Sequence, residues 1–228
     1  MLEAFQKIGR LLFQEGLIDA FGGNLSVREG DKIFITRRDV MLFDLTNDDI
    51  IEVGLESDPN DSQASRELEA HRAIYQKCSA KAIVHAHPAN AIAISITDNK
   101  IVPQDAVGQM RFKAAPIVRA RDSVGSQEAA RLLPQFLGGE NTVAVVKGHG
   151  SFAIGKDLTQ AYMATSALEN SCKILVAVRS SKSSQSSLSS SNSSGPSHHR
   201  KVGPQRSDRK SAIPPSIGVM GRDRNRNR

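Results

Sequence analysis

Tryptophan is absent from this chain of 228 residues, and tyrosine and cysteine occur only twice each. Aromatic residues make up 4% of the sequence against 39% for all hydrophobic types, so the core must be built from Ile, Val, Leu and Ala. Cys78 and Cys172 supply neither a disulfide framework nor a CxxC metal pair, which points to reduced thiols and a cytoplasmic setting. No run approaches the ~18–20 consecutive apolar residues that span a bilayer, so no membrane role is expected. The opening segment is charged throughout and shows no secretory signal.

Excess charge of one sign is also lacking over most of the chain. The formal net charge is +6, but residues 180–228 hold ten Lys/Arg and two Asp/Glu, a net of +8, leaving −2 for residues 1–179. The basic character belongs to the C-terminal segment, and a contact with nucleic acid would rest on that segment alone. Twelve of the eighteen residues in 180–197 are serine, too little apolar surface to offset the entropy of ordering. The expected organisation is one folded domain over 1–179 and a disordered tail over 180–228. A charge run of this kind is more often solvated than functional.

The first part alternates helix and strand. Leu2, Phe5, Ile8 and Leu12 recur at helical spacing, predicting a helix that ends near Gly16. Short strands are predicted over 24–28, 32–36, 49–53, 82–87, 116–120, 142–147 and 151–154. Helices are predicted over 65–78, from Pro88 onward, over 127–137 with an interruption at Pro134, and from an Asp157 N-cap to about Val178. This mixture predicts a three-layer α/β/α sandwich around one sheet. Strand order does not follow from the pattern.

Four histidines fall in this part. In a strand, side chains two apart share a face, so His85 and His87 can point at one centre. A catalytic zinc typically keeps three protein ligands and an open position. His149, flanked by Gly148 and Gly150 after a strand-like run, is placed to be the third; a simple hairpin turn is the alternative. His71 has apolar neighbours three residues away and is read as packing or hydrogen-bonding on its helix, outside the site. Glu67 opens the helix before the His-x-His strand, where a carboxylate is also favoured by the helix dipole.

Taken in order, Gly22-Gly23-Asn24-Leu25-Ser26, Ile35-Thr36, Ser65-Arg66-Glu67-Leu68-Glu69-Ala70-His71, Val84-His85-Ala86-His87-Pro88 and Lys147-Gly148-His149-Gly150 resemble the class II aldolase/adducin family. Within it they are most similar to the members that act on L-fuculose 1-phosphate. The resemblance covers about residues 1–180. It implies Zn2+ held by His85, His87 and His149, and Glu67 as a carboxylate that can bind the metal in the empty site and then serves as the acid/base on an enediolate. It also implies a phosphate-holding loop at Gly23 and Asn24; Thr36, Ser65 and Arg66 are further candidates for the substrate site. A small phosphorylated sugar is the implied substrate and a homotetramer the implied assembly. The alternatives are a pentulose-phosphate 4-epimerase or a sugar-phosphate dehydratase on the same zinc site, and a non-catalytic adducin-like module.

Three positions depart from the family pattern. Thr36-Arg37-Arg38-Asp39 stands where many members have Thr-Pro-(Ser/Thr)-Gly, and Ser65-Arg66 stands where a pair of serines is common. The tyrosines that serve as proton donors have no counterpart, since Tyr75 and Tyr162 fall elsewhere; Asp105 lies nearest the middle position.

Overall fold

The computed structural model describes residues 1–191, with side chains as far as Lys182. Its centre is an eight-stranded sheet built from β1 (Asn24–Glu29), β2 (Lys32–Thr36), β3 (Ile50–Gly54), β4 (Ala82–Ala86), β5 (Lys100–Ile101), β6 (Ala115–Val118), β7 (Val143–Val146) and β8 (Gly150–Gly155). The order across the sheet is β3-β2-β1-β4-β8-β7-β6-β5. All neighbours are antiparallel except β6 and β7, which run parallel.

Among the described residues six α-helices cover the sheet: α1 (Leu2–Gln14), α2 (Leu68–Lys77), α3 (Ala89–Thr97), α4 (Ala106–Arg111), α5 (Gln127–Leu132) and α6 (Leu158–Ser191). The alternation of β4 shows why both faces need covering. Ile83 joins a core with Leu68 and Ile74 of α2 and Ala130 of α5. Its neighbours Ala82, Val84 and Ala86 join a core with Phe5, Ile8 and Leu12 of α1 and Leu158 and Ala161 of α6. A third cluster packs Ala91 and Ile94 of α3 and Leu168 of α6 against Val143, Val145 and Ala153. The expected three-layer sandwich is therefore present, with α2 and α5 on one face and α1, α3 and α6 on the other.

Several boundaries differ from the sequence pattern. The helix expected over 65–78 begins at Leu68, because Ala64 bridges Arg37 and the Ser65 amide donates to the Thr36 carbonyl, tying this stretch to the end of β2. Glu67 takes the N-cap position, with φ −88° and ψ 9°. β4 stops at Ala86, and the His87 amide turns to the Leu17 carbonyl instead of a strand partner. Pro134 converts the end of α5 into a 3₁₀ turn (Leu133–Gln135). The Asp157 carboxylate accepts from the Gln160 amide at 2.7 Å, as an N-cap should. The helix that follows runs on to Ser191, past the expected end near Val178. From residue 192 onward the expected disorder and basic tail lie outside the described residues.

Candidate metal centre and active site

The centre lies on the α2/α5 face of the sheet. His85 projects from β4 to the same side as Ile83, and the β1–β4 and β4–β8 registers place Asn24 and Phe152 directly opposite it. Its ring stacks on Phe152, with centroids 4.2 Å apart and planes inclined by 26°. On the edge of the ring, Nδ1 lies 3.0 Å from the Ser151 carbonyl oxygen. A carbonyl can only accept, so Nδ1 carries the proton and Nε2 presents a lone pair.

That lone pair faces His87, whose Nε2 is 3.1 Å from His85 Nε2. His149 completes the group: its ring centroid lies 4.8 Å from that of His85 and 5.3 Å from that of His87. One nitrogen from each of the three lies within 4.8 Å of the others. His85 on β4 and His87 just past its end come together, and the β7–β8 hairpin supplies the third. Val146 pairs with Gly150, and Gly148 turns the chain at φ +69°. The hairpin expected as the alternative at Gly148-His149-Gly150 is present, and it places His149 beside His85 and His87.

Burial keeps these imidazoles neutral. It is the largest cause at each: His85 is held well below its ordinary value, helped by His87 and His149. His149 is pushed down to about 4, with His87 adding to the shift and the Ser123 backbone opposing it. His87 is lowered by burial and partly restored by the charge of Asp19. Neutral rings with converging lone pairs are what a divalent metal requires. The donor set therefore fits a zinc-type cation.

Glu67 borders the cluster. Its Oε1 lies 3.7 Å from His149 Nε2 and accepts a hydrogen bond from the Gly125 amide at 2.9 Å, while Oε2 is buried without a partner. The contact with His149 has the separation of an ion pair, but the ring's lowered pKa makes it a contact between a carboxyl group and a neutral imidazole. Burial raises the Glu67 pKa; the Gly125 amide opposes the rise and Asp122 adds to it.

The expected substrate residues fall around the same point. Gly23 takes φ +81°, and a Cβ there would stand 2.7 Å from the His85 carbonyl oxygen, so the loop passes this close only as glycine. Asn24 is buried beside His85 with Oδ1 unpartnered. Thr36 is buried, and its hydroxyl accepts from the Leu25 amide at 3.2 Å. Ser65 Oγ accepts from the Glu67 amide at 3.3 Å. Arg66 points outward and pairs with Asp39 at 3.0 Å. Asp105 caps α4, accepting from the Gly108 amide at 2.6 Å and the Ser171 hydroxyl at 2.6 Å.

His71 stands just behind the centre, fully buried, with Nδ1 2.6 Å from Ser26 Oγ; the same hydroxyl lies 2.7 Å from the Tyr75 hydroxyl. It packs edge-on to Phe152, the ring on which His85 stacks, which bears out its reading as a packing or hydrogen-bonding residue.

Three contributors escaped the sequence pattern. Gly125 sits in a polar loop whose only signal was its glycine. The Ser151 carbonyl is a backbone atom, invisible to residue type. Asp19 accepts from the Phe21 and Gly22 amides at 3.1 and 2.6 Å, an Asx turn that an Asp three residues before a glycine can signal. A cleft of about 710 Å³ between α2 and α5, lined by Glu69, Arg72 and Gln127, includes none of the three histidines.

A sheet sandwiched between helix layers, with three neutral imidazoles and a buried carboxyl group at the strand ends, defines an α/β protein with a cluster able to hold a catalytic metal. Residues 3–176 match the Class II Aldolase and Adducin N-terminal domain. An L-fuculose phosphate aldolase from Methanococcus maripaludis is 34% identical over 169 residues, covering 74% of this chain and 92% of that one. A methylthioribulose-1-phosphate dehydratase from Acidiphilium cryptum is 29% identical over 182 residues, covering 71% and 83%. Among solved structures, an L-fuculose-1-phosphate aldolase from Thermus thermophilus superposes with a TM-score of 0.76 at 36% identity, covering 79% of this chain and 95% of that one. The chain belongs to the class II aldolase/adducin family, and it is an enzyme of the lyase class.

Proposed function

We propose that this chain is a zinc-dependent aldolase that cleaves, and in reverse forms, a carbon–carbon bond in a small sugar phosphate such as L-fuculose 1-phosphate. The observation that carries the reading is the convergence of His85, His87 and His149 with Glu67, whose Oε1 is 3.7 Å from His149 Nε2. The three imidazoles would hold the zinc, which when bound would supply Lewis acidity to the substrate's carbonyl group. Glu67 does the proton work. Gly125 pins Oε1, and the unpartnered Oε2 is the atom that gives a proton to the substrate carbon or takes one from it. Its raised pKa suits a group that must work in both directions.

Gly23, Asn24, Thr36, Ser65 and Arg66 hold the phosphate end of the substrate. Arg66 would exchange the Asp39 carboxylate for phosphate oxygens, and the buried Arg37 Nε, which has no partner, is a further donor. The family resemblance supports a homotetramer, as do Val107, Met110 and Met163, apolar side chains exposed on α4 and α6. Two free cysteines fit a cytoplasmic setting, and among the described residues no helix is long and apolar enough to cross a membrane.

A second reading, dehydration of a sugar phosphate on the same site, is favoured by the placement of the tyrosines. Tyr75 is buried behind His71, and the Tyr162 hydroxyl donates to Glu15, so neither is spare for an aldehyde oxygen. The dehydratase relative supports it too. Epimerisation of a pentulose phosphate would make the same demands on the metal.

Elemental analysis of the wild type and of His149→Ala, followed by NMR of products from L-fuculose 1-phosphate, tests the proposal. Near-stoichiometric zinc lost in the variant, with dihydroxyacetone phosphate and an aldehyde released, is the expected result. Loss of water or an epimer from a sugar phosphate would move the assignment to the second reading or to epimerisation. A wild type that stays metal-free after incubation with zinc would overturn the metal site.

A further inference from the structure

Helix α3 touches the centre at both ends, although it lies on the opposite side of the sheet from the imidazole rings. Its N-cap, Pro88, directly follows His87. Towards its other end, Ser95 is completely buried; its hydroxyl donates to the Ile92 carbonyl at 2.6 Å and accepts from the Gly148 amide at 2.9 Å. Gly148 is the residue before His149 and turns the β7–β8 hairpin at φ +69°. The helix is itself held by the buried Glu169 of α6, which accepts from the Asn90 amide at 3.2 Å, the Asn90 side-chain amide at 2.7 Å and the Ala91 amide at 3.1 Å.

We infer that Ser95 is a positioning residue for the metal centre, fixing His149 relative to His85 and His87 through the Gly148 amide. The inference rests on the metal reading above and adds to it the part that sets the third ligand's place. Two features separate this role from ordinary packing. The Ser95 hydroxyl hydrogen is already satisfied within α3, so accepting from Gly148 does nothing for the helix, where alanine would be the better former. Gly148 is an exposed residue, so losing the bond is expected to shift the turn more than to unfold the chain. What the bond selects is where the turn sits. The His149 amide closes the hairpin on the Val146 carbonyl at 3.0 Å, and Ser95 adds the tie that sets the turn's place against α3.

The test compares Ser95→Ala with Thr97→Ala. Thr97 also carries a hydroxyl on α3, bonded to Ile94 and Asp98 and not to the turn. Zinc affinity is measured by competition with a chelator, ligand geometry by the visible absorption of the Co2+-loaded protein, and folding by thermal melts. Ser95→Ala is expected to bind zinc roughly 10–100-fold more weakly, the usual effect of removing a group that orients a metal ligand. Its Co2+ spectrum should lose tetrahedral intensity, with a melting temperature near that of the wild type, and Thr97→Ala should match the wild type throughout. A Ser95→Ala protein with wild-type affinity and spectrum overturns the inference. So does equal weakening of both variants in step with their melting temperatures. A wild type that binds neither ion overturns the metal reading itself, and that failure shows in the wild-type sample alone.

Discussion

Glu67 Oε1 lies 3.7 Å from His149 Nε2, and the two groups are held there by different loops, one by the Gly125 amide and the other by the β7–β8 turn. The carboxyl group is thus beside the candidate metal ligand but fastened to the protein backbone. On the proposed function, this separates two jobs, holding a cation and handling a proton, between buried neighbours.

Removing the proton carrier should leave the cation in place. In Glu67→Gln the amide oxygen still accepts from Gly125, so the pocket keeps its shape. Steady-state kinetics are expected to show kcat reduced roughly 10²–10⁴-fold, with the zinc content unchanged by elemental analysis. Zinc lost along with activity would make Glu67 a ligand instead.

Metal should also stabilise the fold, because three ligands from β4, its end and the β7–β8 turn are gathered only in the native state. At a free zinc concentration about 1,000 times the dissociation constant the gain is about 4 kcal/mol. A melt in a strong chelator should fall below one with zinc, and the difference should vanish in His87→Ala. Equal melts for the wild type would contradict this.

Acid should destabilise the protein partly through His71. Burial pushes its pKa down to about 3 from an ordinary 6.5, so the unfolded chain takes up a proton that the native state refuses. The stability held above pH 6.5 is then lost as pH falls from there toward 3. His71→Leu forfeits the Ser26 contact and should be weaker at neutral pH. Its urea midpoint should nevertheless fall less between about pH 7 and pH 5 than that of the wild type. Parallel declines in the two proteins would refute the assignment to His71.

Gly9 in α1 offers a test of close packing that opposes helix propensity. A Cβ there would lie 1.8 Å from the Leu42 carbonyl oxygen, in the 3₁₀ turn that packs on this helix. Gly9→Ala should therefore destabilise by about 2–3 kcal/mol through overpacking, although alanine is the better helix former by about 1 kcal/mol. Chemical denaturation decides it; an unchanged or raised midpoint would mean that the turn yields freely.

Much of this protein is written locally. The 2-residue period puts His85 on β4 and His87 just past its end on one side, the 3.6-residue period of α1 sets its buried stripe of Phe5, Ile8 and Leu12, and glycines mark the tight turns at Gly23 and Gly148. These depend on backbone geometry and the nearest few side chains, so the sequence carries them without knowing the rest of the chain. The sandwich class and the shared direction of His85 and His87 were legible for that reason, whereas His149 as the third member came from the family resemblance.

Other features depend on groups far apart in the chain. The strand order, the parallel step between β6 and β7, and the late start of α2 follow from which segments bury best against each other. The same holds for Gly125 on Glu67, 58 residues away, for Ser95 on Gly148, 53 away, and for His85 on the Ser151 carbonyl, 66 away. Each partner is a backbone amide or carbonyl, a group every residue but proline offers in full. No residue type announces it, and only the packed sheet decides which one arrives.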